Sequence, residues 1–510
     1  MKNICCLLGL TLMFLLGSCY EDLGNYDYSD LNTIDITKMD ERVCARGDVL
    51  DIIPEFNLNG DTLGNAARYA YSWIAFNKNV PTEQLKKFSL SNERNLYYLM
   101  NLPAGAYTIV YTITDKETGL NWIARMGLTV TGAISEGWLF LTEEQQEDGS
   151  RIGDISVYAR NASDGTFKVL NNILEYSGFP YSKGPRKLVY KKAMGMPKGE
   201  IHILTDEAVG WLDDQTDLWD KDQLLKYENL EAIPDNYTLK DFYYFPNARH
   251  SLGFTEEGGL KIRAEMSAGA VWGNDIGYLL NNGKKEKFDL APYVGGYQGM
   301  GMNMAYLLFD RKTQSFVTCN WSNPTSNEAE CQKLTESWAS TGREILYMQS
   351  VGWTGRVYAL LKDQSGKVWQ YTFTVTGPVV MLDPVAGIQE LNAPNLANAT
   401  CFSYNQFFTG FLYYAVGNKV YTYYNGKEIL VKTMNGNVTC LKSQFINDGT
   451  GSRDLFMKYL VVATYGKMTG EEKEEGTVTL LLPELGKPEV VEVADEVKHL
   501  DKVISIDYQK

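Results

Sequence analysis

Residues 305–319 read AYLLFDRKTQSFVTC and contain two apolar runs joined by a polar turn. The runs, residues 305–309 and 315–319, are rich in aromatic and β-branched residues, which favour strands. Between them, Asp310-Arg311-Lys312-Thr313 has the polar composition of a hairpin turn. The stretch therefore predicts a β-hairpin.

The same pattern of strand, turn and strand recurs from residue 133 to residue 510, without a long helical period. The other pairs of runs are residues 137–142 with 154–159, 200–205 with 208–212, 357–361 with 368–373, 411–416 with 420–424, and 459–464 with 477–482. Apart from the longer interval between residues 200 and 305, successive pairs begin roughly 45 to 60 residues apart, which is the spacing of propeller blades. Radial closure suits so many short strands, because one open sheet would leave long unpaired edges.

These patterns predict an all-β chain in which residues 133–510 form a β-propeller. Seven blades, with about 54 residues each, fit the spacing best, and six or eight blades also fit it. Residues 502–508 are expected to close the ring by pairing with the first blade. The alternative arrangement is two or three consecutive β-sandwiches.

Residues 33–132 have the pattern of a small β-sandwich. Residues 70–74 form a predicted strand around Trp73, and residues 107–115 alternate large apolar residues with Thr over nine positions. A third strand, residues 122–130, follows the turn Lys116-Glu117-Thr118-Gly119. In front of the sandwich, residues 19–32 are polar and are predicted to be a tether.

Residues 1–18 have the features of a secretory signal. A basic start at Lys2 precedes an uncharged apolar run of 13 residues, 4–16. A helix of that length spans only about 20 Å, whereas a bilayer core is about 30 Å thick, so export with cleavage is favoured over a permanent anchor.

Cys19 is the expected site of lipidation. Leu16-Gly17-Ser18-Cys19 resembles a bacterial lipobox, in which the Cys becomes the acylated, palmitate-bearing first residue of a lipoprotein. The following Tyr20-Glu21-Asp22 resembles the surface-export signal of Bacteroidota lipoproteins. The prediction is a lipid-anchored protein of the outer membrane, exposed on the cell surface. Periplasmic retention is the alternative.

Two stretches resemble the PKD-like lipoproteins of Bacteroidota. One is the head at residues 19–28, and the other is the Leu-x-x-Gly-x-Tyr-x-x-x-Tyr-x-x-x-Asp strand at residues 102–115. The resemblance covers about the first 130 residues and implies an immunoglobulin-like sandwich. It also implies that the protein works beside a SusC/SusD-type transporter that imports glycans or peptides. The resulting hypothesis is a surface binding protein that captures a nutrient for such a transporter.

Composition and motifs limit the chemistry that the chain can perform. The net charge of −15 excludes a broad nucleic-acid footprint, which needs clustered cations. His202, His250 and His499 are too scattered for a convincing metal or catalytic site, and no Gly-x-Ser-x-Gly motif is present. No metal or cofactor is therefore predicted, and the catalytic residues of any enzyme stay unknown. The alternative function is a surface glycoside hydrolase or lyase with a carboxylate pair on the propeller face.

Aromatic residues in loops are the best candidates for ligand binding, because a planar ring can stack on a sugar or clamp a peptide side chain. The first choices are Trp219, Trp272, Tyr297 and Trp321. Packing between blades is the alternative role for each of them. The acidic run at residues 213–222 is favoured as a solvated loop over a calcium site.

Five cysteines remain after Cys19 and the signal are set aside: Cys44, Cys319, Cys331, Cys401 and Cys440. Because five is odd, at least one thiol is unpaired within the chain. Cys319–Cys331 and Cys401–Cys440 are the two candidate disulfides in an oxidising compartment. The absence of a CxxC pair argues against a thiolate zinc site.

Overall fold

The computed structural model describes residues 33–509, apart from residues 60–67, 79–84, 132–135, 161–165, 193–198, 215, 235–236, 246–249, 266–270, 282–283, 298–303, 322–328, 352–354, 406–409, 444–458, 468–472 and 485. The predicted signal and the tether up to residue 32 lie outside the described residues. The described chain is almost entirely β-structure. Its helices are the short α1 (Ile173–Ser177) and two 3₁₀ turns, Leu225–Glu228 and Leu396–Asn398. No helix in this part of the chain is both long and apolar enough to cross a bilayer.

The first nine strands form the expected immunoglobulin-like sandwich. They are β1 (Thr33–Ile36), β2 (Arg42–Ala45), β3 (Val49–Ile52), β4 (Phe56–Asn59), β5 (Tyr69–Asn77), β6 (Lys87–Ser91), β7 (Leu96–Leu99), β8 (Gly105–Asp115) and β9 (Asn121–Thr131). A five-stranded sheet in the order β2-β9-β8-β5-β6 shares one core with β3-β7 and β1. Trp73 lies fully buried in that core and stacks on Tyr111, with ring centroids 4.1 Å apart.

The propeller begins with β10 (Gly137–Gln145). Its next strands are β11 (Arg151–Arg160), β12 (Phe167–Leu170), β13 (Pro185–Lys191), β14 (Glu200–Thr205), β15 (Val209–Asp213), β16 (Leu239–Phe245), β17 (His250–Thr255), β18 (Leu260–Ala264), β19 (Tyr278–Asn281), β20 (Lys284–Lys287), β21 (Gly295–Gly296), β22 (Met304–Asp310), β23 (Ser315–Trp321) and β24 (Glu330–Lys333). The remaining strands are β25 (Glu344–Val351), β26 (Arg356–Lys362), β27 (Val368–Thr376), β28 (Val379–Leu382), β29 (Ile388–Leu391), β30 (Cys401–Tyr404), β31 (Leu412–Val416), β32 (Lys419–Tyr424), β33 (Lys427–Thr433), β34 (Asn437–Lys442), β35 (Leu460–Lys467), β36 (Glu474–Glu484), β37 (Lys487–Leu500) and β38 (Lys502–Gln509).

In the described residues these strands form seven antiparallel sheets, which are the seven blades. From the axis outwards their orders are β38-β10-β11-β12, β13-β14-β15, β16-β17-β18, β21-β22-β23-β24, β25-β26-β27 followed by both β28 and β29, β30-β31-β32-β33, and β34-β35-β36-β37. The hairpin β19-β20 is separate and lies in sequence between the third and fourth blades. The propeller with seven blades, predicted from the spacing of the hairpins, is therefore confirmed.

The hairpin at residues 305–319 shows why a blade buries both of its faces. β22 and β23 pair from Met304 with Trp321 to Asp310 with Ser315, and all seven side chains of β22 are buried. Each blade has a neighbour on both sides, so the side chains on both faces of its middle strands are mostly buried, as in β17 and β22. The turn is held by Asp310, whose Oδ2 accepts a hydrogen bond of 2.6 Å from Thr313 Oγ1.

The ring closes as expected, because the C-terminal β38 is the innermost strand of the first blade. It pairs antiparallel with β10 and places Tyr508 opposite Trp138. Side chains also link the innermost strands of adjacent blades by accepting backbone N–H groups. In each link the first residue donates its backbone N–H and the second accepts it with a side-chain oxygen. The links are Leu188 to Ser505 at 3.1 Å, Tyr190 to Asp507 at 2.7 Å, Gly296 to Ser350 at 2.8 Å, Tyr404 to Gln349 at 2.8 Å, and Ser443 to Ser403 at 2.8 Å.

The sandwich packs directly against the first two blades. Tyr176 of α1 lies edge-on to Phe88 of the sandwich, with centroids 5.8 Å apart, and Lys168 of β12 pairs with Asp48 at 2.8 Å. Arg46, just after β2, forms a buried ion pair with Asp217 in the loop that follows β15. The sandwich therefore contacts the propeller through both apolar and charged groups.

Candidate functional site

The four predicted ligand-binding aromatics lie in three different clusters of the propeller. Trp272 packs with Phe242 and Leu239 of the third blade, in a cluster that also contains residues of the second blade. Trp219 packs against a cluster formed by the first and second blades. Trp321 and Tyr297 both contact the cluster formed by the third and fourth blades. The structure therefore does not bring all four residues to one site.

Two of these rings are inside the protein. Trp272 and Trp321 are each only 1% exposed. Trp272 lies edge-on to Phe242, with centroids 5.6 Å apart, and Trp321 stacks on the imidazole of His250 at 3.4 Å. Because protein groups already cover both rings, packing between blades accounts for their positions.

The other two rings remain partly exposed. Trp219 lies edge-on to both Phe179 and Tyr181, with centroids 6.0 and 6.4 Å away. Tyr297 directly follows the innermost strand of the fourth blade and contacts two interblade cores. Of the four predicted residues, these two keep ring surface that a ligand can reach.

The acidic run at residues 213–222 is only partly the solvated loop that the sequence favoured, since Asp220 and Asp222 are exposed but two other carboxylates of the run are buried. Asp217 is fully buried and pairs with Arg46, and Asp214 accepts a hydrogen bond of 3.0 Å from the hydroxyl of Tyr190. In the described residues no group of three or more His, Cys, Asp or Glu is arranged to hold a metal ion. This loop anchors the sandwich to the propeller.

A cluster of buried charged groups lies between the second and third blades, where β13 ends and β14 begins. Lys191 Nζ contacts Glu200 Oε2 at 2.7 Å and Glu265 Oε2 at 2.9 Å. Arg263 contacts Glu228 at 3.0 Å and Glu265 at 3.7 Å. Glu200 Oε2 also lies 2.7 Å from Nε2 of His202.

The carboxylates in this cluster each contact a cationic side chain. Burial opposes ionisation of Glu200, but the contact with His202 and the ammonium of Lys191 outweigh it and hold the pKa of Glu200 well below its usual range. A carboxyl group that stays ionised cannot donate a proton as a general acid. The cluster therefore joins two blades and has no free proton donor at Glu200.

Three tyrosines on or beside the innermost strands of neighbouring blades pack against the cores between blades. Tyr243, Tyr293 and Tyr347 come from the third, fourth and fifth blades or the segments entering them, and Tyr293 lies edge-on to Tyr347 at 5.7 Å. Tyr243 donates a hydrogen bond of 2.9 Å to Pro292 O, and Tyr347 donates one of 2.7 Å to Gln349. The hydroxyls of Tyr243 and Tyr347 are already bonded, so a ligand would have to replace existing contacts there.

An open groove lies on the fourth blade, at the turn of the hairpin with which the sequence analysis began. Its volume is about 340 Å³, within the range of ligand pockets of roughly 300–1,000 Å³. One wall is Thr313, Ser315 and Phe316, and the other is the last residue of β24 and the segment that follows it: Lys333, Leu334, Thr335, Glu336, Ser337 and Ser340. The buried Phe316 ring forms part of the base.

Backbone hydrogen bonds fix the two walls of this groove to each other. Phe316 N donates to Ala339 O at 2.9 Å, and Thr341 N donates to Gln314 O at 3.0 Å. The polar side chains on the second wall make no hydrogen bond or ion pair with the described residues. They are Lys333, Thr335, Glu336, Ser337 and Ser340. The groove thus presents three hydroxyls, one ammonium and one carboxylate that can bind a ligand without breaking a protein contact.

Sequence analysis missed this groove. The only available signal was the run of hydroxyl residues within Lys333–Ser340, which resembles an ordinary polar loop between two strands.

Comparison with known proteins supports the N-terminal assignment. Residues 19–175 match the model of the PKD-like family. The match covers the sandwich and continues through the first three strands of the propeller into α1. No curated protein matches the chain.

Several solved structures resemble the chain at low sequence identity. A quinoprotein alcohol dehydrogenase-like protein from Bacteroides thetaiotaomicron is 12% identical, with a TM-score of 0.44 over 94% of this chain and 98% of that one. The WD40 domain of SCAP from fission yeast is 13% identical, with a TM-score of 0.30 over 63% and 76% of the two chains. The periplasmic gluconolactonase PpgL of Pseudomonas aeruginosa is 8% identical, with a TM-score of 0.28 over 86% and 99%.

Proposed function

We propose that this chain is a lipoprotein of the bacterial outer membrane that captures a glycan or peptide nutrient at the cell surface. In this proposal, acyl chains on Cys19 hold the protein in the membrane, and a transporter of the SusC/SusD type receives the ligand. The signal-like residues 1–18 and the lipobox-like sequence before Cys19 support the anchor. The match to the PKD-like family begins at that same Cys19.

The groove on the fourth blade is the observation that carries the binding role. Hydroxyl groups both donate and accept hydrogen bonds, and Lys333 and Glu336 add one donor and one acceptor group of opposite charge. A glycan presents many hydroxyls of its own and complements this lining better than an apolar peptide would. The proposed ligand class is therefore a glycan, with a polar peptide second.

The binding role is tested with the full-length protein and panels of soluble glycans and peptides. Ser337→Trp fills the groove and should lower the affinity for the bound ligand at least tenfold. Thr129→Ala, at an exposed position on the sandwich, is the matched control and should bind like the native protein. If no panel member binds and the protein does not co-purify with transporter subunits, the proposed function is wrong.

The anchor is tested separately. Mass spectrometry of the native protein should find acyl chains on Cys19, and protease added to intact cells should degrade the propeller. An unmodified Cys19, or a propeller that resists protease until the cells are lysed, would remove the surface location from the proposal.

A surface hydrolase or lyase is the second candidate. Its support is that Glu200 and Glu265 contact the same nitrogen of Lys191, so their carboxylates lie close together, as in glycosidases. The depressed pKa of Glu200 disfavours the role of proton donor. This candidate predicts turnover of an oligosaccharide that Glu265→Gln abolishes, whereas binding without turnover by the native protein would eliminate it.

A further inference from the structure

Two cysteines lie directly opposite each other on neighbouring strands of the fourth blade, and one of them is on β24, the strand that leads into the groove. Cys319 of β23 and Cys331 of β24 are paired residues in the antiparallel register. Side chains of such a pair project to the same face, with Cβ atoms about 4.5–5.5 Å apart, so an approach of about 1 Å brings them to the roughly 3.5–4.5 Å of a disulfide. All five described cysteines are thiols in the structure.

The two thiols also contact each other. A hydrogen bond with the Cys331 thiol and burial raise the pKa of Cys319 well above its ordinary value. Cys319 is fully buried and Cys331 nearly so, in the core between the third and fourth blades.

We propose that Cys319 and Cys331 form a disulfide that fixes the second wall of the groove to the fourth blade. β24 is the outermost strand of that blade, and Lys333, its last residue, is the first residue of the groove wall. The bond would hold this strand two residues before the wall begins. The proposal goes beyond the binding function, since the bond can form whether or not a ligand is bound.

The chemistry requires an oxidant from outside the protein. The two thiols lose two protons and two electrons and form one S–S bond, while a partner disulfide, such as oxidised glutathione or an oxidised dithiol protein, takes them up and becomes two thiols. The attacking group in this exchange is a thiolate. Because both thiols are buried in the folded protein, an external disulfide should reach them before the fourth blade is fully packed.

Peptide mapping of the full-length protein tests the proposal. The protein is expressed with its own leader, purified without reductant, alkylated with iodoacetamide and digested. The expected result is a peptide in which Cys319 is joined to Cys331. Cys44 should be alkylated once the protein is unfolded. Carbamidomethyl groups on both Cys319 and Cys331 in the unreduced sample would overturn the proposal.

Two variants separate this bond from the other candidate pair. Cys401→Ser leaves the predicted bond intact, and its linked peptide should persist. In the double variant Cys319→Ser/Cys331→Ser, reduction should no longer lower the melting temperature, whereas in the native protein and in Cys401→Ser it should lower it by several degrees. A reduction-sensitive melting temperature in the double variant would assign the effect to another bond. The mapping uses the native chain, so its outcome does not depend on whether the variants fold.

Discussion

Arg46 and Asp217 form an ion pair that is enclosed between the sandwich and the second blade. The exposed fractions of their side chains are 2% and 0%. Arg46 follows the last residue of β2, and Asp217 lies in the loop after β15 with a left-handed backbone angle, φ 53°. The pair therefore joins two parts of the chain that are far apart in sequence.

Removing one charge of this pair should destabilise the protein strongly. Burial lowers the pKa of Arg46 to about 10, so the guanidinium stays charged at neutral pH. Asp217→Asn keeps a side chain that tolerates the left-handed backbone but leaves Arg46 buried without a counter-charge. The expected loss in the free energy of unfolding is about 3–5 kcal/mol, measured by urea denaturation.

Lys168→Ala is the control, because the pair of Lys168 with Asp48 is partly exposed and should contribute less than about 1 kcal/mol. The double variant Arg46→Met/Asp217→Asn should recover most of the stability lost in Asp217→Asn. Equal effects of Asp217→Asn and Lys168→Ala would mean that the enclosed pair does not stabilise the interface.

Asp507 is predicted to stabilise the closure of the ring. Its carboxylate accepts a hydrogen bond of 2.7 Å from Tyr190 N in the second blade and one of 2.8 Å from Lys442 Nζ in the seventh. Asp507→Ala removes both bonds and should cost about 3 kcal/mol, with faster amide hydrogen exchange in β38 and β10. Glu484→Ala, which breaks an exposed pair with Lys487, should change neither measurement appreciably. Unchanged exchange in β38 would contradict the closing role.

Most of the hairpins and the number of blades could be predicted from the sequence because the signals are local. The two runs of the hairpin at residues 305–319 and the turn at Asp310 lie within 15 residues, and the same pattern is recognisable in five of the other six blades, all but the third. The repeat length then fixes how many blades the chain can supply. β38 could be assigned to the first blade because an open ring would leave an unpaired edge.

The positions of individual side chains could not be predicted in the same way. Trp272 and Trp321 are near polar residues in sequence, yet Phe242 and His250 from other strands cover their rings. Asp217 belongs to an acidic run, and its partner Arg46 comes from a different domain. In each case the deciding neighbour is distant in sequence, so neither periodicity nor composition contains it.

His250 is expected to make the protein less stable in acid. Burial lowers the pKa of His250 to about 3, its Nδ1 lies 2.8 Å from Tyr306 Oη, and its Nε2 is buried without a partner among the described atoms. The unfolded chain takes up a proton near pH 6.5, whereas the folded chain does not until about pH 3. The free energy of unfolding should therefore be highest above pH 6.5 and fall by up to about 4 kcal/mol as the pH drops towards 3.

The contribution of His250 is measured as the difference in pH slope between the native protein and His250→Asn. This variant lacks a group that titrates in this range and should lose less stability between pH 6.5 and 4, even though it is less stable overall without the stacked ring. His499→Asn is the control, because the His499 side chain is 76% exposed. If stability falls with pH as steeply in His250→Asn as in the native protein, the acid sensitivity belongs to other groups.

Asp154 should produce the opposite dependence on pH. Its Oδ1 accepts hydrogen bonds of 2.6 Å from Ile155 N and 2.8 Å from Leu174 N at the start of α1, and burial raises its pKa to about 6. Between about pH 4 and pH 6 the folded protein retains a proton that the unfolded chain releases. This carboxyl therefore stabilises the fold below about pH 4, and up to about 3 kcal/mol of that stability is lost as the pH rises through 6.

Asp154→Asn is uncharged at every pH and retains an oxygen that can accept the N–H groups of α1. Between pH 4 and 6.5 it should lose less stability than the native protein, and near pH 7 it should be at least as stable, because it buries no charge. The exposed Asp35→Asn serves as the matched control and should follow the native curve. The measurement is urea denaturation at half-unit steps of pH. If Asp154→Asn is instead several kcal/mol less stable than the native protein at pH 7, the ionised carboxylate is needed to cap α1, and the interaction with the helix outweighs the cost of burial.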